Sequence, residues 1–367
     1  MRILHLIDSR GVYGAERILL YLAREQQRRG HEPWIVSIGD PGSGESEFEA
    51  LARARGIAVA PVRIAPRPTP SVVRSLLRTV RALRPDVLHS HGYKANILLS
   101  LVSRRRRGPM LATLHGWTSG ERLGALWLYE RLDRWALRRL DAVVVVARGM
   151  LTLPALRAIP PDRVHVIANG IPTRAERRGE PGAELPQQLL DFLRRGPTLV
   201  AIGRLSAEKG FALLLESFVR ARDAAGKWQL LIVGEGPERP TLAKRIASLG
   251  LQDAVRLGGY VGGADRLLGE AAGFVMSSFT EGMPLVLLEA LQWPVPIIAT
   301  RVGAIPELLG ERPRARLVPP RDGPALAAAL QDLMSAPPAL LPSASPDTGQ
   351  GSAAMAQAYL QLYAAIT

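Results

Sequence analysis

The sequence predicts an α/β protein of two domains, and three observations predict it. At 367 residues the chain is too long for one ordinary hydrophobic core. Short apolar segments ending in Gly or polar clusters alternate with amphipathic helical patterns, which implies parallel sheets covered on both faces. The alternation breaks once, at RAERRGEPGAELPQQ (174–188), where Pro, Gly and charge replace the apolar pattern, and then restarts.

Taken in order, RILHLID is an apolar strand, followed by a Gly-containing loop and a helix through AERILLYLAREQQRRG. PWIVSIG, PDVLHSH, PMLATLHG, LDAVVVVA and VHVIANGI read as further strands. SVVRSLLRTVRALR, NILLSLVSR and LWLYERLDRWALRRL read as the helices between them. After the break, PTLVAIGRL, WQLLIVGEG, AVRLGGY, GFVMSS, VPIIAT and RARLVPP supply a second set of strands. PPALLPSASPDTGQGS (337–352) reads as an irregular connection, and AAMAQAYLQLYAAI as a closing helix. The expected division is a first domain over 1–178, a linker over 179–190, a second domain over 191–345, and a C-terminal connection and helix over 346–367. Two Rossmann-like halves with a cleft between them follow, with ligands at the carboxyl ends of the strands.

Composition narrows the classes. Hydrophobic residues make up 47%, enough for packed domains and too many for a disordered chain. Cysteine is absent, which excludes disulfides, thiolate metal sites and a cysteine nucleophile and fits a reducing cytoplasm. The start MRILHLIDSRG turns polar too soon for a signal peptide, and no apolar run reaches 18 residues. The net charge of +14 lies entirely in the first half: residues 1–180 carry 30 Lys+Arg against 16 Asp+Glu, and residues 181–367 carry 17 of each. That half should face an anionic partner. With aromatics at 5% and no recognised reader motif, a nucleic acid is the poorer choice.

The stretch EGMPLVLLEAL (281–291) places Glu281 and Glu289 eight positions apart. A helix starting near Pro284 would be apolar on every side and therefore buried. Glu281 then sits in the loop at its mouth, and Glu289 lies inside it, roughly 7 Å further along at 1.5 Å per residue. A buried acid needs either a fixed protein partner or a polar ligand. Before it, GRLSAEKG sets Arg204 and Lys209 just after a strand, where a guanidinium fork and an ammonium could hold a diphosphate. A solvated basic loop with an ion pair to Glu208 is the alternative. Gly14, in RGVYGAER, would let backbone approach a phosphate at a helix N-terminus, although such a glycine can equally serve a turn. Gly234 and Gly236, in IVGEGPER, have the same two readings. Neither G-x-G-x-x-G nor a P-loop occurs. His115 ends the strand MLATLH. His89 and His91 share one face of the strand before it; a hydrogen-bonded pair is the better reading, since no third metal ligand is evident.

In this order GAER, TLHG, VIANGI, GRLSAEKG, IVGEGPER and SSFTEGMPLVLLEAL resemble the retaining glycosyltransferases of family four, which have the GT-B fold. The resemblance covers essentially the whole chain, and Glu281-x7-Glu289 is its most specific element. It implies a GT-B architecture with the C-terminal helix returning to the N-terminal domain. It implies that Glu289 binds the ribose of a UDP- or GDP-linked sugar donor and Glu281 its transferred sugar. Backbone N–H groups of Gly282, Met283, Leu285 and Val286 would point at sugar and diphosphate. Arg204 and Lys209 would neutralise the leaving diphosphate in place of a metal, in accord with the absence of D-x-D. Gly14, Gly234 and Gly236 would serve the donor, with His115 on its sugar and backbone around Gly259, Tyr260 and Val261 on its base. No cofactor and no metal are expected. Where the family often has two adjacent glycines, this chain has Tyr13 before Gly14, a residue placed to narrow the cleft mouth or stack on the acceptor.

The basic first domain would then hold a glycan or lipid-linked acceptor. Arg74, Arg78 and Arg81 share one helical stripe, and SRRRRG (103–108) adds a loop cluster. The surface suits an anionic membrane, and the expected location is cytoplasmic or peripheral on the inner membrane face. A hexose transferase for surface polysaccharide or glycolipid is the reading preferred here. A sugar-nucleotide epimerase or phosphorylase, or a catalytically silent partner subunit, is the alternative.

Overall fold

The computed structural model describes residues 1–8, 11–65, 69–115, 125–177, 184–225, 227–310, 312–335 and 351–367. The chain divides into two compact units, Met1–Pro172 with Gly349–Thr367, and Thr173–Thr348. The expected irregular connection over 337–352 falls almost wholly outside the described residues.

In the first unit, β1 (Arg2–Ile7), β2 (Glu32–Gly39), β3 (Ala58–Arg63), β4 (Val87–Ser90), β5 (Met110–Leu114), β6 (Ala142–Val145) and β7 (Val164–Val166) form one parallel sheet. Its order is β3-β2-β1-β4-β5-β6-β7, so the direction of winding reverses between β1 and β4. The central strands are buried on both faces, Ile3, Leu4, Val143 and Val144 at 0% exposure, which explains their continuous apolar runs. Strand β3 was not among the expected strands. AVAPVR alternates poorly and contains Pro61, which a sheet accepts at its edge, where β3 lies.

The helix Pro70–Leu83 shows how local sequence sets an element. Thr69 Oγ1 accepts from Val72 N at 3.4 Å, Pro70 starts the first turn, and Arg84 ends it in the left-handed region at φ 46°. Val72, Leu76 and Val80 are buried inward, and Arg74, Arg78 and Arg81 face solvent. The expected loop at 103–108 is instead a short helix, Arg104–Arg107. Arg107 in it is buried and pairs with Asp141 at 3.3 Å, while Arg104 reaches the same carboxylate at 2.7 Å. Only part of that arginine cluster is surface charge.

The closing helix, Ser352–Ile366, belongs to the first unit, as the resemblance implied. Its Tyr359 and Tyr363, four positions apart on one face, are 2% and 0% exposed.

In the second unit, β8 (Thr198–Ile202), β9 (Gln229–Val233), β10 (Val255–Leu257), β11 (Gly273–Met276), β12 (Ile297–Thr300) and β13 (Ala315–Val318) form a parallel sheet. Its order is β10-β9-β8-β11-β12-β13, reversing between β8 and β11. Of the expected linker over 179–190, residues 179–183 lie outside the described residues, and the described segments on either side are helical. Helix Arg174–Arg177 docks on the second unit, with Arg177 bonded to Asp265 at 2.9 Å and Arg174 lying 3.5 Å from the Trp293 ring centroid. Helix Gln187–Arg194 buries Leu189, Phe192 and Leu193. Their apolar spacing is real helical periodicity within a Pro- and Gln-rich setting that masked it.

Candidate functional site

In an open α/β sheet, the loops that splay apart where the strand order reverses leave room for a ligand at the strands' carboxyl ends. In the second unit those are the loops after β8 and β11, and they carry Arg204, Lys209 and Glu281. Lys209 Nζ donates to Glu281 Oε1 at 2.5 Å, and Ser278 Oγ donates to the same oxygen at 2.6 Å. Both partners of the ion pair are largely shielded, Lys209 at 22% and Glu281 at 10% side-chain exposure. Shielding of that order makes the attraction stronger than that of an exposed pair. Arg204 is exposed on the same loop. Glu208, on the same loop, accepts from Ser206 Oγ at 2.5 Å.

Backbone contacts lock this pair of loops. Phe279 N donates to Glu208 O at 2.7 Å, and Ser277 Oγ donates to Lys209 O at 2.9 Å. Gly210, at φ 65°, passes so close that a Cβ would lie 2.3 Å from Ser277 O. From the other side, Thr300 Oγ1 donates to Ser278 O at 2.6 Å and Ala304 N to Gly282 O at 2.8 Å. At Gly303, φ 53°, a Cβ would sit 2.1 Å from Glu281 O. Ser278, Thr300, Gly210 and Gly303 were missed by sequence reasoning. Only the coupling of Ser/Thr or Gly to strand ends could have signalled them.

Gly234 and Gly236 have a structural cause independent of any ligand. Cβ atoms there would stand 1.9 Å from Gly203 O and 2.3 Å from Leu205 O, where the loop after β9 crosses the loop after β8. Gly203 N donates to Val233 O and Leu205 N to Glu235 O, each at 2.9 Å. Gly234 N donates to Gly259 O at 2.8 Å, which carries the stitching on to the loop with Val261, buried, and Tyr260, 66% exposed.

The helix after β11 is shorter than its apolar run suggested: Pro284 caps it and it spans Leu285–Ala290. It is buried as expected, with Leu287 and Ala290 at 0% and Glu289 at 3% exposure. Glu289 has an interaction within the protein, so its charge is not left to a ligand alone. Met283 is buried at the mouth of this helix beside Gly282. Leu285 and Val286 hold its first-turn amides, which have no intrahelical acceptor by position.

In the first unit, the loop after β1 leads to the helix Gly14–Arg28, with Gly14 as its first residue. Tyr13 is 51% exposed, and its N–H donates to Glu16 Oε2 at 3.0 Å. The histidines gather where this sheet reverses. His5 on β1 stands opposite His89 on β4. His5 Nε2 meets Gln26 Oε1 at 2.8 Å, His5 Nδ1 meets His91 Nε2 at 3.1 Å, and His91 Nδ1 meets His115 Nε2 at 3.0 Å. His89 turns the other way, to Tyr363 Oη and Thr113 Oγ1, both at 2.7 Å. Both histidines of HxH are therefore hydrogen-bonded, though to other partners rather than to each other, within a larger cluster that includes His5, which the sequence did not single out. His5, His89 and His91 bring ring nitrogens within 4.8 Å of one another, but each of those nitrogens already has a hydrogen-bond partner. Burial lowers all four histidines, His5 and His115 to about 4 and the other two well below the usual value. Gly116 and Trp117, which follow His115, lie outside the described residues.

A polar cavity of about 370 Å³ opens at the carboxyl ends of β1–β3, with Asp8, Asp40, Ser43, Glu49, Arg63 and Lys94 in its wall. Arg63 spans Glu49 with two bonds, 2.8 and 2.9 Å, and ties in Gly44 O at 2.8 Å.

Two Rossmann-like units with these strand orders define a protein of the GT-B fold. Residues 12–175 match the family described as Glycosyltransferase Family 4, and residues 196–336 match Glycosyl transferases group 1. The chain belongs to glycosyltransferase family 4. It is 30% identical over 244 residues to alpha-maltose-1-phosphate synthase of Mycolicibacterium smegmatis, a match covering 61% of this chain and 62% of that protein. It is 26% identical over 307 residues to GDP-mannose:cellobiosyl-diphosphopolyprenol alpha-mannosyltransferase of Xanthomonas campestris, covering 79% and 76%. The chain thus spans about six tenths of the first of these relatives. The crystal structure of Anabaena HepE in complex with UDP-glucose matches in fold, with a TM-score of 0.75 at 19% identity over 100% of this chain and 97% of that one. No helix among the described residues is long and apolar enough to cross a membrane.

Proposed function

We propose that the protein is a metal-independent retaining glycosyltransferase that moves a hexose-type sugar from a UDP- or GDP-linked donor to a glycan or lipid-linked acceptor. The observation that carries this reading is the Lys209–Glu281–Ser278 constellation at the switch point of the second sheet, with buried Glu289 one short helix away. A departing nucleoside diphosphate develops negative charge, and Lys209 with Arg204 supplies preorganised cations for it. Gly234, Gly236 and the backbone around Val261 bound the donor loops, and the first-turn amides of Leu285 and Val286 add N–H donors. Gly282 and Met283 continue that backbone line toward the donor. Gly14 is assigned to the phosphates and His115 to a donor hydroxyl.

Retention follows through attack by the acceptor from the leaving-group side, past an oxocarbenium-like state. Glu281 is assigned to binding rather than to covalent chemistry, because Lys209 and Ser278 already hold its Oε1. The relatives support the donor class and leave the base open, since one is named for GDP-mannose and a fold neighbour holds UDP-glucose. The test is whether a nucleoside diphosphate binds when every divalent metal has been chelated.

The first unit is proposed to hold the acceptor, for which its polar cavity offers both signs of charge, at the cytoplasmic face of an anionic membrane. Since the apolar side of the helix Pro70–Leu83 packs inward, contact with lipid would rest on Arg74, Arg78 and Arg81 and be electrostatic. Binding to vesicles containing 30% phosphatidylglycerol should therefore fall at least fivefold between 50 and 300 mM NaCl (roughly, by charge screening), measured by co-sedimentation. Equal binding to neutral phosphatidylcholine vesicles would remove the membrane assignment.

A further inference from the structure

We infer that Gln26, His5 and His91 form a relay that fixes the tautomer of His115, leaving its Nδ1 as an unprotonated acceptor for a neutral sugar hydroxyl. The inference deepens the proposed function and rests on it for the identity of the ligand.

The relay is continuous. From Gln26 Oε1 to His5 Nε2 is 2.8 Å, from His5 Nδ1 to His91 Nε2 is 3.1 Å, and from His91 Nδ1 to His115 Nε2 is 3.0 Å. A neutral imidazole has one N–H and one bare nitrogen, so each ring can donate to one neighbour and accept from the other. Three rings in series must therefore all point the same way. Protonation of any ring would break that order, and burial disfavours it throughout, holding His5 and His115 at about 4.

The ends of the relay choose its direction. With Gln26 Oε1 toward His5, the ring proton of His5 sits on Nε2, that of His91 on Nε2, and that of His115 on Nε2. The amide of Gln26 keeps this orientation compatible with its other neighbour, since Nε2 of Gln26 faces Tyr363 Oη at 3.3 Å. At the far end, His115 Nδ1 is buried with no hydrogen-bond partner among the described residues. Reversing the relay would turn that atom into a buried orphan N–H, and orphan donors are rarer in native interiors than under-satisfied acceptors.

The consequence is chemical. An unprotonated Nδ1 takes a hydrogen bond from a hydroxyl and repels a carboxylate or phosphate oxygen. Gln26, at 0% exposure within the helix Gly14–Arg28, is a positioning residue that acts on the ligand only through three other side chains, His5, His91 and His115. Neither the spacing of HxH nor the position of His115 at a strand end reveals this, because His5 and Gln26 join through the fold.

The chain has six histidines, few enough for side-chain assignment by single substitution. Long-range ¹H–¹⁵N correlation spectra of the ligand-free, histidine-labelled protein at pH 7.5 read each tautomer directly. The expected result is an unprotonated Nδ1 and a protonated Nε2 on His115, His91 and His5. In Gln26→Met, which removes the anchor while keeping the volume, the His115 Nδ1 resonance should move toward the protonated position or split. A His115 protonated on Nδ1 in the wild-type protein would overturn the relay, as would a Gln26→Met protein, folded by circular dichroism, with an unchanged His115 spectrum. Both readouts are taken without substrate, so failure of the transferase reading would leave them interpretable.

Discussion

Lys209→Met is expected to lower kcat/KM for donor turnover by about 100- to 1,000-fold, the cost of removing one preorganised charge from a leaving-group site. The assay is release of nucleoside diphosphate from the nucleotide sugar that the protein binds. The side chain loses its attraction to the diphosphate, while the loop itself persists, because its backbone is held by Ser277 Oγ and Phe279 N rather than by the ammonium. Removing the lysine also leaves Glu281 shielded at 10% exposure with Ser278 as its remaining partner in the constellation. The double variant Lys209→Met/Glu281→Gln separates the two effects: it relieves the uncompensated carboxylate and should regain stability but not activity. A loss below tenfold in Lys209→Met, with the protein folded, would show that the ammonium does not face the departing charge.

The second expected result concerns the histidine cluster. Four histidines folded with depressed pKa values bind fewer protons than the unfolded chain as the pH falls from about 6.5 toward 4. Their contribution to stability is therefore complete above pH 6.5 and is lost as the pH falls from 6.5 toward 4. Between pH 7 and 5.5 each histidine accounts for about 1 kcal/mol, and the four together for roughly 4–5 kcal/mol. Asp133 opposes them. Burial raises its pKa to about 6, with the Asn96 bond acting in the other direction, so the folded state gains a proton there as the pH falls. That offsets less than about 1 kcal/mol. Asp8, also raised by burial, acts in the same sense. The net loss of roughly 4 kcal/mol is a large share of the ~5–15 kcal/mol typical of a folded domain. Urea unfolding of the full chain at the two pH values measures it. A loss below about 1.5 kcal/mol, within reach of a single histidine, would contradict neutral burial of the cluster.

Much of the fold was legible because the chain is locally consistent. The strand at 142–145 is an unbroken AVVV run, and such a run between helices implies a buried parallel strand. Strand β3 was not legible, since its Pro61 argues against a strand everywhere except at a sheet edge, and edge positions are a property of the assembled sheet. The helix Gln187–Arg194 was hidden by a turn-forming composition around it. At the site, Lys209 and Glu281 could be picked from spacing and from their place after strands. Their meeting could not, because it depends on β8 and β11 being neighbours although separated by two strands in sequence. The same holds for His5 and His89, paired across β1 and β4. Sequence shows which residues stand at strand ends, and the strand order decides which ends adjoin.

The central claim is that a nucleoside diphosphate binds this chain without a metal, through the switch point of the second sheet. A melting screen against UDP, GDP and ADP and their glucose and mannose conjugates, in EDTA, tests it most directly. The prediction is a selective rise in melting temperature for one base, unchanged by added Mg²⁺ or Mn²⁺, and lost in Glu289→Ala. No rise with any of these ligands from folded protein would contradict the claim, as would a rise seen only when a divalent metal is restored.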